Sequence, residues 1–109
     1  MTVNFLEPAA SASFRSDRMA KADLRRGHRL FLGLNCFEPG QGQALHTHAG
    51  ADKFYLIVSG KARMIVGAET RDVAAGTLVW AAAGEPHGVE RALERTVMLV
   101  GMAPPPQGS

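Results

Sequence analysis

His46 and His48 stand two residues apart in the stretch GQGQALHTHAGADKFYLIVSG (40–60), just ahead of an apolar, β-prone run. Side chains of an extended chain alternate between faces, so residues i and i+2 lie side by side. Two neutral imidazoles on one face can grip a divalent transition metal. A third imidazole, His87, follows a later glycine-bounded strand. Three converging histidines suit Zn, Fe, Mn, Ni or Cu, with the remaining positions left to water or substrate. A histidine pair at this spacing is by itself a weak signal, because small domains satisfy most histidines with backbone carbonyls or solvent. The frame of glycines around the three residues is what gives the pattern weight.

The elements that must position these side chains read as strands. RMAKADLRR (18–26) alternates as a half-exposed strand, Gly27-His28 forms a turn, and RLFLGLNCF (29–37) follows as a strand apolar on both faces, which together predict a hairpin. His28 reads as an exposed turn residue. Glu38-Pro39-Gly40 breaks the strand, and Ala44 to His48 is a short strand carrying the two histidines. Lys53 to Ser59 is a strand of aromatic and β-branched residues, followed by strands at 62–66, 71–73, 77–81, 87–90 and 96–102. Residues 1–14 predict either a short edge strand around Val3 to Leu6 or a draped arm, and Pro104-Pro105-Pro106 a stiff extended tail at 104–109. No segment holds a helical period. Short strands with turn signals every few residues predict an all-β sandwich or barrel in one domain, 1–109, without internal repeat or linker.

Composition bounds the function classes. The chain has 109 residues, 46% hydrophobic and 20% charged, with a formal charge of +2. Six of its twelve Lys and Arg lie between Arg15 and Arg29, interleaved with Asp17 and Asp23, which reads as a solvated edge hairpin rather than a nucleic-acid face. No apolar run is long enough to span a bilayer as a helix, and the N-terminus lacks the charge and apolar core of a secretory signal. The single cysteine, Cys36, excludes an internal disulfide, so a cytoplasmic location is the default expectation. Cys36 and Met19, Met64, Met98 and Met102 read as packing residues. Trp80, alone of its kind, reads as a core or interface anchor, and Arg63 and Arg91 as exposed.

The glycine-framed histidines resemble the two motifs of the cupin superfamily. Its first motif is a glycine, five residues, His-x-His, three or four residues, a glutamate, six residues and a glycine; Gly40, His46, His48 and Gly60 match in register. Its second motif is a glycine, five residues, Pro-x-Gly, two residues, a histidine, three residues and an asparagine; Gly76, Gly84 and His87 match. The resemblance covers about residues 27–103 and, with the short inter-motif segment 61–75, is similar to small single-domain microbial members. It implies a cupin-type jelly-roll β-barrel (a double-stranded β-helix), a homodimer, and His46, His48 and His87 pointing into the barrel as metal ligands.

Three positions depart from the motifs. Lys53 stands where most members carry the glutamate ligand, Ala82 where the proline is expected, and Arg91 where the asparagine is expected. A carboxylate helps neutralise a divalent ion, whereas an ammonium repels it. Asp52 meets the shorter of the two motif spacings, and a bulge would turn it inward in place of Lys53. If Lys53 faces the cavity, Tyr55 and Ile57 do too, while Phe54, Leu56 and Val58 face the other way and need cover of their own. An inward Lys53 would have a depressed pKa or hold an acidic ligand group. Tyr55 reads equally as a hydrogen-bond donor to a ligand at the barrel mouth and as a half-buried aromatic with its hydroxyl at the edge.

Three alternatives follow. The histidines bind a metal while Lys53 and Tyr55 position a small polar or acidic molecule; the cavity binds a small acid without metal; or the histidines are structural relics. A metal-dependent enzyme and a non-catalytic binding or sensor barrel both remain open, since the fold supports oxygenation, isomerisation and lyase chemistry alike.

Overall fold

A computed structural model of the chain describes residues 3–107. Nine strands follow in order: β1 (Ala20–Arg26), β2 (Phe31–Phe37), β3 (Gln43–His46), β4 (Asp52–Ser59), β5 (Lys61–Val66), β6 (Glu69–Ala74), β7 (Leu78–Ala81), β8 (His87–Ala92) and β9 (Thr96–Ala103). They pair antiparallel in two sheets, one of order β1-β2-β9-β4-β7 and one of order β3-β8-β5-β6. This is the expected all-β barrel of two packed sheets. Among the described residues no helix is long and apolar enough to cross a membrane.

The strand with the strongest β propensity, β4, sits second from the edge of its sheet, paired to β9 on one side and β7 on the other. Its burial alternates as the parity argument requires: Lys53, Tyr55 and Ile57 are buried, and Phe54, Leu56 and Val58 are half-buried. The inward set joins Phe37, Met64, Val89, Met98 and Val100 in the core between the sheets. Burying Phe37, Ile57 and Met98 completely stabilises the fold by about 1.5–3 kcal/mol each. Gly60 and Gly101 are among the glycines that close contacts require. Gly60 turns β4 into β5 at φ +87°, where a side chain would meet the Arg95 carbonyl, and Gly101 lies beneath the Phe54 ring.

The outward faces of β1, β2 and β9 form a second apolar cluster of Ala20, Leu34, Cys36 and Val97, against which Ala12 and Phe14 pack. The N-terminal segment is therefore an arm laid on the outside of the five-stranded sheet. Val3 to Glu7 form no strand, and Pro8–Ser11 make one 3-10 turn. The edge-strand alternative is overturned because the arm finds apolar cover for Ala12 and Phe14 rather than a ladder partner; Met1 and Thr2 lie outside the described residues. The proline-rich end does not project as a stiff tail. The Arg26 guanidinium donates to the Pro106 carbonyl, which holds the segment against the barrel; Gly108 and Ser109 lie outside the described residues.

The hairpin of β1 and β2 forms as expected, with a register irregularity between Asp23 and Arg25. Its turn is closed by the Gly27 N–H donating to the Leu30 carbonyl at 2.8 Å, and His28 is exposed. Cys36 is buried under the arm. Arg63 lies on the surface, paired with Asp72 at 2.8 Å and Glu90 at 3.5 Å, and Arg91 is exposed. Trp80 corrects the core alternative: it is 56% exposed, on the outward face of β7 opposite Phe54.

Candidate metal centre

The three histidines meet because two short strands pair. β3 carries His46 at its end and β8 opens with His87, and the two are register partners across the antiparallel ladder. Their ring centroids lie 4.3 Å apart. His48 lies beyond the end of β3, outside the ladder that was expected to hold it. Its ring nevertheless stands 5.0 Å from that of His46 and 5.6 Å from that of His87. Strand pairing thus stops short of the second histidine, while the local chain keeps the side-by-side arrangement.

One ligand nitrogen from each of the three lies within 4.8 Å of the others. Three nitrogens bound to one ion at about 2.1 Å can be no more than about 4.2 Å apart, so the set is within a small side-chain adjustment of coordination. The tautomers also fit. His46 Nδ1 lies 2.9 Å from the Ala44 carbonyl and His87 Nδ1 lies 2.8 Å from the Glu85 carbonyl. A carbonyl only accepts, so each Nδ1 carries the proton and each Nε2 keeps its lone pair. Such an outer hydrogen bond is what orients a metal-bound histidine. His87, 1% exposed, leaves Nε2 buried without a hydrogen-bond partner among the described residues. A buried lone pair without a donor is costly, and a metal ion satisfies it.

Lys53 settles into the barrel beside this group. It is 6% exposed, with Nζ 3.4 Å from His46 Nε2 and 5.0 Å from the centre of the Tyr55 ring. The bulge that would have turned Asp52 inward does not form: Asp52 is exposed, and its carboxylate accepts the Ala83 N–H at 3.0 Å. Tyr55 is fully buried rather than placed at the mouth, with no partner for its hydroxyl among the described residues. Its ring lies 6.2 Å from His87.

The electrostatics all favour neutral imidazoles. Burial first, then the charges of Lys53, His87 and His48, push His46 down to about 4 against the pull of the Ala44 carbonyl. Burial and Lys53 also lower His48 and His87. Burial, followed by the charge of Lys21, lowers Lys53 to about 8. Burial raises Tyr55, keeping its phenol protonated. Neutral imidazole is the metal-binding form.

A cavity of about 200 Å³ opens beside the triad and is lined by His48, Lys53, Asn35 and Lys21 among others. A larger cleft of about 380 Å³, between β6 and β7, contains none of the histidines; its size does not bring it to the chemistry. Sequence reasoning does not single out Asn35. The available signal was a polar residue inside RLFLGLNCF, a strand apolar on both faces, where an amide must find a partner or be left without one.

Comparison with known proteins agrees with the geometry. A cupin domain model matches residues 33–101. The Streptomyces coelicolor protein SCO3923 is 35% identical over 80 residues, 73% of this chain and 75% of its own length. The crystal structure of TT1209 from Thermus thermophilus superposes with a TM-score of 0.88 at 33% identity, over 95% of this chain and 100% of that one. A double-stranded β-helix protein from Klebsiella pneumoniae superposes at 0.87 with 18% identity, over 98% of this chain and 95% of that one, a likeness of fold alone. These matches accord with the paired glycine frames, the two-sheet barrel and the inward histidines, and the chain belongs to the cupin domain family.

Proposed function

We propose that this protein binds a divalent transition metal (Zn, Fe, Mn, Ni or Cu) on His46, His48 and His87, with a small polar or acidic molecule held beside it by Lys53 and Tyr55. The observation that carries this reading is the pair of oriented Nε2 lone pairs on His46 and His87, the latter buried without a partner among the described residues. When bound, such an ion supplies a Lewis acid that polarises a ligand oxygen. The three imidazoles hold it, and Lys53 attracts the negative end of the ligand. A monovalent and a divalent cation about 4 Å apart repel by about 8 kcal/mol at an effective dielectric of 20, so an anion is what makes Lys53 compatible with a metal. If the held molecule is a substrate, the protein is a metal-dependent enzyme.

Metal analysis of protein purified without added metal or a histidine tag tests this. Near-stoichiometric metal, lost on replacing His46 and His48 by alanine, supports it; no binding on titration with any of the five metals removes it.

The contact between Lys53 and His46 favours a second reading, a metal-free barrel that binds a small acid directly, because Nζ can donate to the same Nε2 a metal would use. Recovery of an acid from protein that contains no metal selects it.

The outward face of β4 and β7 supports pairing of two copies. Trp80 is 56% and Leu78 61% exposed beside half-buried Phe54 and Leu56, continuing the apolar surface whose other part the N-terminal arm covers. Apolar side chains gathered at this density are characteristic of an interface.

A further inference from the structure

The cavity of about 200 Å³ beside the triad has a chemistry of its own. Asn35, 5% exposed, turns its amide nitrogen into the interior with no hydrogen-bond partner among the described residues. Lys53 and Lys21 line the same space. Among the described residues neither lysine is ion-paired, and Asp23, the one carboxylate in the lining, is exposed and pairs with neither. Donors therefore outnumber acceptors, and the deepest of them are buried. A buried donor left unmatched costs about 1–3 kcal/mol, more when charged, and a fold tolerates that cost where a ligand removes it.

The donors form two ends. Asn35 and Lys21 are register partners on β2 and β1, whereas Lys53 lies at the triad, its register partner Met102 being paired in turn with Phe31. The Phe31 ring lies over Gly33, its Cε2 3.0 Å from where a Gly33 side chain would begin, so an aromatic wall lines the space beside Asn35. The volume equals roughly seven water molecules, the bulk of a three- or four-carbon acid.

We propose that this cavity is a binding site for a small dicarboxylate, with one carboxylate on Lys53 and the other on Asn35 and Lys21. The proposal deepens the acid-binding half of the function above and does not depend on the metal. The carboxylate on Lys53 lies next to the histidines, where its charge also offsets that of a bound ion. Asn35 is then the residue that recognises the second carboxylate.

Malonate titrated into the metal-stripped protein tests the proposal, with side-chain resonances of Asn35 and Lys53 as the readout and uncharged malonamide as the control. Saturable malonate shifts at both residues, absent with malonamide, are expected. Charge-assisted hydrogen bonds of this kind predict that Lys53→Met and Asn35→Leu each weaken malonate ten- to hundred-fold. Lys21→Ala, at an exposed position, weakens it several-fold and decides the matter should Asn35→Leu fail to fold. No saturable shift, or an affinity unchanged in Lys53→Met and Lys21→Ala, overturns the proposal. Zinc titration of the same samples separates the two readings: malonate binding without zinc binding removes only the metal, and zinc binding without malonate binding removes only the dicarboxylate site.

Discussion

His46 and His87 face each other as register partners across β3 and β8, ring centroids 4.3 Å apart, although four other strands intervene in the chain between the two that carry them. Each holds Nδ1 to a carbonyl of its own segment and directs Nε2 inward. The pairing of two short strands thus assembles a preoriented donor set. Metal addition should raise the melting temperature of the stripped protein. At a free metal concentration of one hundred times Kd the gain is about 2.7 kcal/mol, which for a domain of this size corresponds to roughly 10–20 °C. Differential scanning fluorimetry with and without a chelator measures it, and a melting temperature indifferent to metal would contradict the site.

Lys53→Met should stabilise the metal-free protein and Lys53→Glu should tighten metal binding. Lys53 is buried and burial holds it at about 8, a cost to the folded state at neutral pH on the order of 3 kcal/mol. Its folded pKa lies below the unfolded one, so between about 8 and 10.5 the unfolded chain binds the extra proton and stability rises with pH. The advantage of Lys53→Met in urea denaturation is therefore full below about pH 8 and shrinks as the pH approaches 10.5. An unchanged metal affinity in Lys53→Glu would show the repulsion argument to be misplaced.

His46 gives the acid-side counterpart. Burial, with the nearby positive charges, places it at about 4 in the folded protein against 6.5 for the free side chain. As pH falls from 6.5 to about 4 the unfolded chain takes up a proton that the folded one refuses, so stability is lost across that window. Metal-free wild type should lose stability there more steeply than His46→Ala, as read from urea midpoints at several pH values. Parallel curves for the two proteins would contradict the assignment.

Tyr55→Phe separates a structural from a ligand-holding hydroxyl. The hydroxyl is buried and unpartnered among the described residues, so removing it should leave the ligand-free protein unchanged or stabilise it by about 1 kcal/mol. If Tyr55 donates to the bound acid, the same substitution weakens malonate about tenfold. Loss of stability with intact binding would mark the tyrosine as purely structural.

Trp80→Glu should shift the protein from dimer to monomer in sedimentation velocity, since it places a charge in the outward apolar face of β7 beside Leu78 and Phe54. A wild-type protein that sediments as a monomer at micromolar concentration would remove the pairing.

The local pattern of the chain determined much of this protein. Turn residues at Gly40, Gly60, Gly76 and Gly84 and the short β-prone runs between them dictate strands, because glycine supplies the positive φ that each turn adopts. Alternation along β4 dictated that Lys53, Tyr55 and Ile57 share a face. The glycine-framed histidines carried the resemblance that implies His87 as a third ligand, while the pairing of β3 with β8 is what brings it to His46. What alternation cannot give is which face looks inward, how deep a side chain sits, or what covers it, because these depend on partners distant in sequence. Only the pairing of β4 with β7 and β9 chose Lys53 over Asp52 and buried Tyr55 completely. Only the tertiary structure decided between a short strand around Val3 to Leu6 and a draped arm, because it is Ala12 and Phe14 that find apolar cover on the outer sheet. Only the meeting of β1, β2 and β4 around one cavity made Asn35 an unmatched donor beside two lysines, since a lone polar residue in an apolar strand acquires its meaning from what stands across from it.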